Sequence, residues 1–256
     1  MFSFPYSNDS YSQLFRGETA ECVCQGLMDI FNYIGGVPTL LVFDNATGVG
    51  HRVMGQIHET ELFARFRAHY GFRIRFCNPY AGYEKGNVEN KVGTTRRNLF
   101  VPIPTYHDIE AYNRTLLDQH VKKASESHYK KGNVISELFE EDRKHFFLLP
   151  AKPFQVCRYE TCRADGYGKI CLDGKHFYST KPENHNKRVM VGIRAHYIDI
   201  LEPNGDLLVR HMRQYGNTRT DISDYSTSLE MLSKNYRSMG QQWIPQGCTR
   251  ANPRIY

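Results

Sequence analysis

The sequence predicts an α/β domain followed by a small antiparallel β-barrel. Val37–Phe43 (VPTLLVF) is an apolar run with the length and β-branched character of a fully buried strand. Amphipathic helical patterns lie on both sides of it, over Glu18–Ile34 and Glu59–Tyr70. After Pro150 the pattern changes to short apolar runs separated by Asp-Gly and Asn-Gly turns, which is typical of hairpins closing into a small barrel.

The changes in pattern divide the chain into four predicted segments. These are an α/β core over residues 1–105, a helical linker over 106–150, the barrel over 151–216 and a polar tail over 217–256. The core ends where Val101-Pro102-Ile103-Pro104 interrupts a helix, because proline lacks the N–H that a helix interior needs. The linker ends at Leu148-Leu149-Pro150.

The core opens with a short aromatic strand over Phe2–Tyr6. In the first helix, apolar residues recur at intervals of three and four, and the helix closes at Gly35-Gly36. The loop Asn45–Arg52 (NATGVGHR) is rich in glycine and small residues, which predicts flexibility. The second helix ends before Gly71, and Phe72–Phe76 (FRIRF) alternates apolar and basic residues as a half-exposed strand does.

A third core helix is predicted from Gly86, followed in the linker by helices over Tyr106–Val121 and Val134–Phe147. We expect His120, His128 and His145 of the linker to be surface or DNA-facing residues. The barrel strands are predicted at Phe154–Arg163, Gly168–Leu172, Lys175–Ser179, Arg188–Ile193, Tyr197–Leu201 and Leu207–His211. The tail carries one possible helix, over Tyr225–Met239.

Composition restricts the class of protein. The 256 residues carry a formal net charge of +6, and basic residues cluster: four against one acid in Lys85–Arg97, and four against one in Lys122–Lys131. Such clusters suit a phosphate backbone, although solvated helix faces also carry them. Seven cysteines without metal-ligand spacing predict buried, reduced thiols in a cytoplasmic protein. No apolar run is long enough to cross a bilayer, which predicts a soluble protein.

Two acids are candidates for chemistry. Glu89 lies in the first turn of the helix that begins at Gly86, with Arg96 and Arg97 two turns further on. Asp44 follows the buried strand directly, and open α/β sheets place their chemistry at the carboxyl ends of strands. Each has a simpler interpretation: Glu89 as a complement to the helix dipole, and Asp44 as a turn former. Together they predict a metal-assisted phosphoryl-transfer site.

Two strings, YIGGVPTLLVFDNATG and NPYAGYEKGNVENKVGTTRRNLF, resemble the catalytic core of DDE transposases and retroviral-type integrases. More specifically, the chain resembles the IstA transposases of insertion-sequence family twenty-one, from about Phe4 to about Tyr215. The resemblance implies an RNase H-like fold in which three carboxylates bind two Mg²⁺ or Mn²⁺ ions. By motif, Asp44 matches the second acid and Glu89 the third.

The resemblance also implies partners. The clusters of basic residues, read together with this resemblance, predict DNA contacts from a set of basic and amide side chains: Lys85, Asn87, Lys91, Arg96, Arg97, Lys122, Lys123, Lys130 and Lys131. The resemblance implies a barrel like that of Mu-type transposases, with Lys169, Lys175, Lys187, Arg188 and Arg194 as further phosphate contacts. The implied partners are the transposon ends, target DNA, a second copy of the chain and an AAA+ ATPase.

The sequence departs from the family at both ends. No candidate for the first acid precedes Asp44 on a strand, so we expect an N-terminally truncated transposase. The residues after about Gly240 do not resemble the family, which a frameshift would explain. For the chain as given we therefore favour DNA binding without catalysis, while an active transposase stays open and predicts strand transfer once the missing N-terminal strands are restored. An unrelated α/β hydrolase is disfavoured, because a nucleophile elbow and a Gly-rich cofactor loop are both missing.

Overall fold

The fold is that of a computed structural model, which describes residues 1–43, 48–53, 56–77, 93, 97 and 100–228. For residues 51–53, 56–57 and 228 it describes the backbone alone. The chain divides into two compact units. The first unit comprises residues 1–158 with 194–196, and the second comprises residues 159–193 together with those from 197 onwards.

The first unit is a mixed α/β structure, as the sequence predicts. Its described elements are, in chain order, β1 (Phe2–Ser3), β2 (Ser10–Tyr11), α1 (Ala20–Ile34), β3 (Leu40–Phe43), β4 (Gly50–Val53), β5 (Gln56–Glu59), α2 (Glu61–Tyr70), β6 (Arg73–Phe76), α3 (Ile109–Ala124) and α4 (Ile135–Arg143). Strands β1 and β2 form one antiparallel pair, and β4 and β5 another. Strands β3 and β6 pair in parallel.

Helix α1 forms where the apolar spacing predicts it. Its buried face includes Leu27, Ile30, Phe31 and Ile34. The helix ends at Gly35, whose φ of 75° is left-handed and whose N–H donates to the carbonyl of Phe31. Glycine adopts this conformation without the steric cost of a Cβ, so the glycine terminates the helix as predicted.

An aromatic cluster forms the core between α1, α2 and the parallel pair. Phe31, Phe63, Phe66 and Phe72 are each at most 1% exposed. The ring of Phe66 lies 6.2 Å from that of Phe31 and 6.0 Å from that of Phe72, measured between centroids. Buried rings at these separations contribute attraction beyond their apolar area, so this cluster holds both helices against β3 and β6.

Strand β3 is less buried than the sequence predicts. The prediction is a fully buried strand over Val37–Phe43, but the strand covers Leu40–Phe43 and alternates between exposed and buried side chains. Leu41 is 2% exposed, whereas Leu40 and Val42 are 44% and 46% exposed. Among the described residues α1 and α2 pack on one face of the pair, so the side chains on the other face remain in contact with solvent.

The glycine-rich segment after β3 contains a strand where the sequence predicts flexibility. Gly50–Val53 pairs with Gln56–Glu59 in an antiparallel hairpin. A Cβ added at Gly50 would lie 2.5 Å from the carbonyl oxygen of His58. Close backbone packing, rather than flexibility, therefore explains glycine at this position.

The second unit is built from antiparallel hairpins. Its described strands are β7 (Arg158–Arg163, of which Arg158 falls in the first unit), β8 (Lys169–Leu172), β9 (His176–Ser179), β10 (Arg188–Ile193), β11 (Tyr197–Leu201), β12 (Leu207–Met212) and β13 (Thr220–Ile222). Six of them confirm predicted strands to within a few residues. Strand β13 lies in the predicted polar tail and pairs in parallel with β9.

These strands do not form the closed barrel that the sequence predicts. They divide into a four-stranded sheet in the order β12-β11-β10-β7 and a three-stranded sheet in the order β13-β9-β8. Both sheets contribute to one apolar core, with Ile170 and Tyr178 from one sheet and Val191, Ile198 and Ile200 from the other. Hydrogen bonding within the described strands therefore gives two sheets that share a core.

Among the residues that the structure describes, no helix is both long and apolar enough to cross a membrane. Six cysteines in these residues are free thiols. Cys22, Cys24, Cys77 and Cys157 are buried as expected, whereas Cys171 is exposed.

The aromatic cluster leads to a stability prediction. Replacing Phe66→Ala removes a buried ring and leaves a cavity, so we expect the free energy of unfolding to fall by about 3–5 kcal/mol. Leu148→Ala is the control, because Leu148 is 91% exposed and its removal should cost less than about 0.5 kcal/mol. Urea unfolding of both variants measures the difference, and equal decreases would contradict the packing described for Phe66.

A second prediction concerns Asp29 in α1. Burial raises the pKa of this carboxyl group from 3.8 to about 6, and the nearby Glu110 charge adds to the rise, while a hydrogen bond from Gln25 (2.8 Å) opposes it. Because the pKa is raised in the folded state, the stability that the protonated Asp29 carboxyl contributes is fully present below pH 3.8 and is lost as the pH rises through 6. Asp29→Asn should therefore be more stable than wild type above pH 6, by about 1–3 kcal/mol.

Thermal unfolding between pH 4 and 8 tests this prediction. The Asp29→Asn curve should separate from the wild-type curve as the pH rises, whereas Glu137→Gln, an exposed change on α4, should follow it. A constant difference between Asp29→Asn and wild type across this range would show that ionisation of Asp29 does not affect stability.

Candidate metal and nucleic-acid site

The carboxyl ends of β3 and β6 meet at one edge of the first unit. The two strands run in parallel with Phe43 opposite Phe76, and the N–H of Cys77 donates to the carbonyl of Phe43 at 2.9 Å. Asp44 is the next residue after β3, and the segment that carries Glu89 begins after Cys77. Both candidate acids therefore belong to segments that start from the same edge of the sheet.

Aromatic side chains pack together at this edge of the sheet. The ring of Phe43 lies 5.5 Å from that of Phe63 and 6.0 Å from that of Phe76, measured between centroids. Phe63 belongs to α2 and is completely buried. The positions of both strand ends consequently depend on the packing of α2, which is the element that connects the β4–β5 hairpin to β6.

The side chains of the predicted catalytic pair lie outside the described residues. This holds for Asp44 and Glu89, and also for Lys85, Asn87, Lys91 and Arg96. Gly93 and Arg97 are described; both have helical backbone, and Arg97 is exposed. Within the described residues, no group of three or more His, Cys, Asp or Glu is placed to hold a metal ion.

The basic residues at the end of α3 face solvent. Lys122 and Lys123 occupy the last turn of the helix, where their charge complements the helix dipole. Lys122 is exposed and Lys123 is half-buried. Within the described part of the chain, neither ammonium group has a carboxylate at salt-bridge distance. Both are available to a phosphate group.

Lys130 and Lys131, the other two lysines of the Lys122–Lys131 cluster, contact aromatic residues of the same chain. The Lys131 ammonium lies 3.1 Å from the centre of the Tyr6 ring and donates to the carbonyl of Tyr6 at 2.9 Å. The Lys130 ammonium lies 5.4 Å from the centre of the Tyr129 ring. Such cation–π contacts are favourable but modest at exposed sites, so Lys131 is the more strongly anchored of the two.

Two of the three linker histidines are not surface residues, which corrects the prediction from sequence. His120 is 1% exposed, and its Nε2 lies 2.6 Å from the hydroxyl oxygen of Ser12. His128 is 6% exposed, and its Nδ1 accepts hydrogen bonds from the backbone N–H groups of Lys130 and Lys131. Both rings therefore stabilise the fold, whereas His145 is exposed.

In the second unit, several cations that the resemblance assigns to DNA already have partners. The Lys169 ammonium pairs with Asp221 at 2.5 Å, and the Lys175 ammonium donates to the side-chain oxygen of Asn217 at 2.7 Å. Lys187 and Arg188 are exposed. A count of basic residues in the sequence cannot distinguish Lys169 and Lys175, which have partners, from the exposed Lys187 and Arg188. The partners of the first two lysines come from segments that are distant in the chain.

Comparison with characterised proteins shows similarity to transposases. No protein-family model matches the chain. It is 28% identical over 214 residues to a protein named transposase from Aminobacter aminovorans, an alignment that covers 81% of this chain and 41% of the relative. It is 27% identical over 193 residues to proteins named transposase for insertion sequences IS1326/IS1353 from Pseudomonas aeruginosa and Shigella flexneri.

Those two alignments each cover 73% of this chain and 37% of the relative. The chain thus spans about two fifths of the length of the relatives it matches. Over most of its own length, the chain is similar to proteins named as transposases of insertion sequences.

Proposed function

We propose that this chain is part of a DDE-type transposase of the IstA branch, acting in DNA cleavage and strand transfer. The proposal rests on the parallel pairing of β3 and β6. Because of this pairing, the segments that contain Asp44 and Glu89 begin at the same edge of the sheet. An RNase H-like core is proposed for the first unit. The described strands of the second unit form two sheets and not a closed barrel, and we propose that this unit is the counterpart of the domain that forms the barrel in Mu-type transposases.

Asp44 and Glu89 are the proposed metal ligands. Carboxylate oxygens are hard donors that suit Mg²⁺ or Mn²⁺, and the common edge of β3 and β6 is compatible with a shared site. When bound, the metal would supply Lewis-acid activation of the attacking oxygen and neutralisation of charge at the reacting phosphodiester. The side chains of this chain would hold the metal and, through Lys122 and Lys123, orient the DNA backbone.

A DNA-binding role without catalysis is the second candidate function. It is favoured by Lys122 and Lys123, whose ammonium groups have no carboxylate at salt-bridge distance among the described residues, because binding a phosphate backbone needs such cations and no metal ion. Both candidates share the proposed partners: transposon and target DNA, a second copy of the chain and an AAA+ ATPase. Both are also compatible with a cytoplasmic, nucleoid-associated protein.

Metal binding and DNA nicking distinguish the two candidates. The first candidate predicts that the chain binds Mn²⁺ and nicks supercoiled plasmid DNA in the presence of Mg²⁺, whereas the second predicts DNA binding without nicking. Asp44→Asn and Glu89→Gln should each abolish Mn²⁺ binding and slow nicking on the order of a thousand-fold, since each removes several kcal/mol of charge stabilisation. Glu137→Gln on α4 is the matched control.

Titration with Mn²⁺, followed by electron paramagnetic resonance, gives a readout that does not depend on activity. A chain that binds plasmid DNA without binding Mn²⁺ would contradict the metal site and support the second candidate. A chain that does neither would contradict both candidates.

The availability of Lys122 and Lys123 leads to a separate prediction. The double variant Lys122→Gln/Lys123→Gln should lower the slope of log Kd against log salt concentration by about 1.8 for duplex DNA, because each lysine that neutralises a phosphate contributes about 0.9 to the slope. Lys144→Gln on the same unit should leave the slope unchanged, because Lys144 already pairs with Glu141 at 2.7 Å. If Lys144→Gln lowers the slope by the same amount per lysine, DNA binding depends on the net charge of the chain and not on the positions of Lys122 and Lys123.

A further inference from the structure

The surface of the second unit contains a groove with two arginines. It has a volume of about 530 Å³ and is lined by Thr161, Arg163, Asn186 and Arg188. All four side chains are exposed. None of the four is acidic, so the described lining offers cations and neutral hydrogen-bonding groups only.

Sheet geometry brings these four residues together from distant parts of the chain. Strands β7 and β10 are neighbours in the four-stranded sheet, and the N–H of Ala164 donates to the carbonyl of Lys187 at 2.9 Å. This bond places the end of β7 beside the start of β10. Thr161 and Arg163 are two residues apart on β7, and side chains at that spacing project from the same face of a strand.

Backbone bonds also fix the turn that carries Asn186. This residue has a left-handed φ of 57°, and its N–H donates to the carbonyl of Asp165 at 3.1 Å. The carboxylate of Asp165 is engaged by the backbone N–H groups of Tyr167 and Lys169, at 2.8 and 2.9 Å. Both of these N–H groups donate to Oδ1 of Asp165, so this carboxylate oxygen stabilises the turn that follows β7.

Charge pairing distinguishes the groove arginines from other cations of the second unit. Lys181 pairs with Glu202 at 2.6 Å, and Arg210 pairs with Asp199 at 2.6 Å. Lys169 pairs with Asp221. In contrast, neither Arg163 nor Arg188 has a carboxylate at salt-bridge distance among the described residues. Two guanidinium groups with uncompensated charge thus line one concave surface.

We propose that this groove binds the phosphodiester backbone of DNA, with Arg163 and Arg188 contacting phosphate oxygens and Thr161 and Asn186 donating further hydrogen bonds. The guanidinium group is planar and presents paired N–H donors that match phosphate geometry. Hydroxyl and amide side chains commonly complete such contacts. The proposal deepens the proposed function and rests on it for the choice of DNA as the ligand.

The size and surroundings of the groove favour a polymer backbone over a free phosphate ion. The volume is many times the roughly 30 Å³ that one water molecule occupies, and the groove is open to solvent. Tyr159 on β7 and Met190 on β10 are 51% and 49% exposed, and each is two residues from a groove residue on its strand. They offer apolar contacts to sugars beside the phosphate contacts.

Salt-dependent DNA binding tests the proposal. The full chain is titrated with a fluorescein-labelled duplex of arbitrary sequence in EDTA, at salt concentrations from about 50 to about 300 mM, so that no catalytic step contributes. Arg163→Gln and Arg188→Gln should each weaken binding about tenfold at low salt and lower the log–log slope by about 0.9. The double variant should lower the slope by about 1.8.

Arg219→Gln is the matched control, with the same change of residue and charge in the same unit. Its guanidinium lies 4.5 Å from the centre of the Phe177 ring, and Arg219 is not among the residues that line the groove. We expect Arg219→Gln to leave the slope unchanged. Equal melting temperatures of all variants would show that each remains folded.

The outcomes separate this inference from the proposed function. Slopes for the groove variants equal to that of Arg219→Gln would overturn the inference and leave the metal-binding test of Asp44 and Glu89 unaffected. Binding of inorganic phosphate by the wild-type chain that the arginine variants lose, with the duplex slope unchanged by these variants, would assign the groove to free phosphate and also overturn the inference. A lowered slope in a chain that fails to bind Mn²⁺ would support the groove while contradicting the proposed catalysis.

Discussion

The parallel pairing of β3 with β6 is the constraint on which the candidate site depends. Parallel strands cannot be joined by a tight turn, so the chain must cross from the end of one strand to the start of the other. Here the crossover contains the β4–β5 hairpin and α2. Packing of Phe63 and Phe66 against Phe31 and Phe72 holds α2 on the β3–β6 pair. The positions of the two strand ends therefore depend on this packing.

Charge pairing is the second organising feature. The formal charge of +6 does not identify which cations can meet a polyanion, because many are compensated within the fold. Lys131 contacts Tyr6, and Lys169, Lys181 and Arg210 pair with carboxylates. Lys122 and Lys123 at the end of α3, and the two arginines of the groove, have no such partner in the described residues. Each unit therefore presents its own basic surface.

Local patterns predict most of the secondary structure. Helices α1 and α2 and six strands of the second unit follow from apolar spacing, glycine caps and turn dipeptides, all of which act over a few residues. Such patterns do not predict strand β13, because its pairing with β9 joins residues about forty positions apart. Local patterns also do not predict the β4–β5 hairpin, because glycine indicates close backbone packing as readily as it indicates flexibility.

For the candidate site, the sequence alone determined which residue types are present: one acid after a predicted strand, one acid in a predicted helix, and clusters of basic residues after them. Local sequence also determined the approximate positions of most of the described helices and strands. Only the tertiary structure decided which strand ends meet, which histidines are buried and which cations are already paired. Burial and ion pairing depend on contacts between residues distant in the chain, such as Ser12 with His120 and Lys169 with Asp221, and no local pattern encodes such contacts.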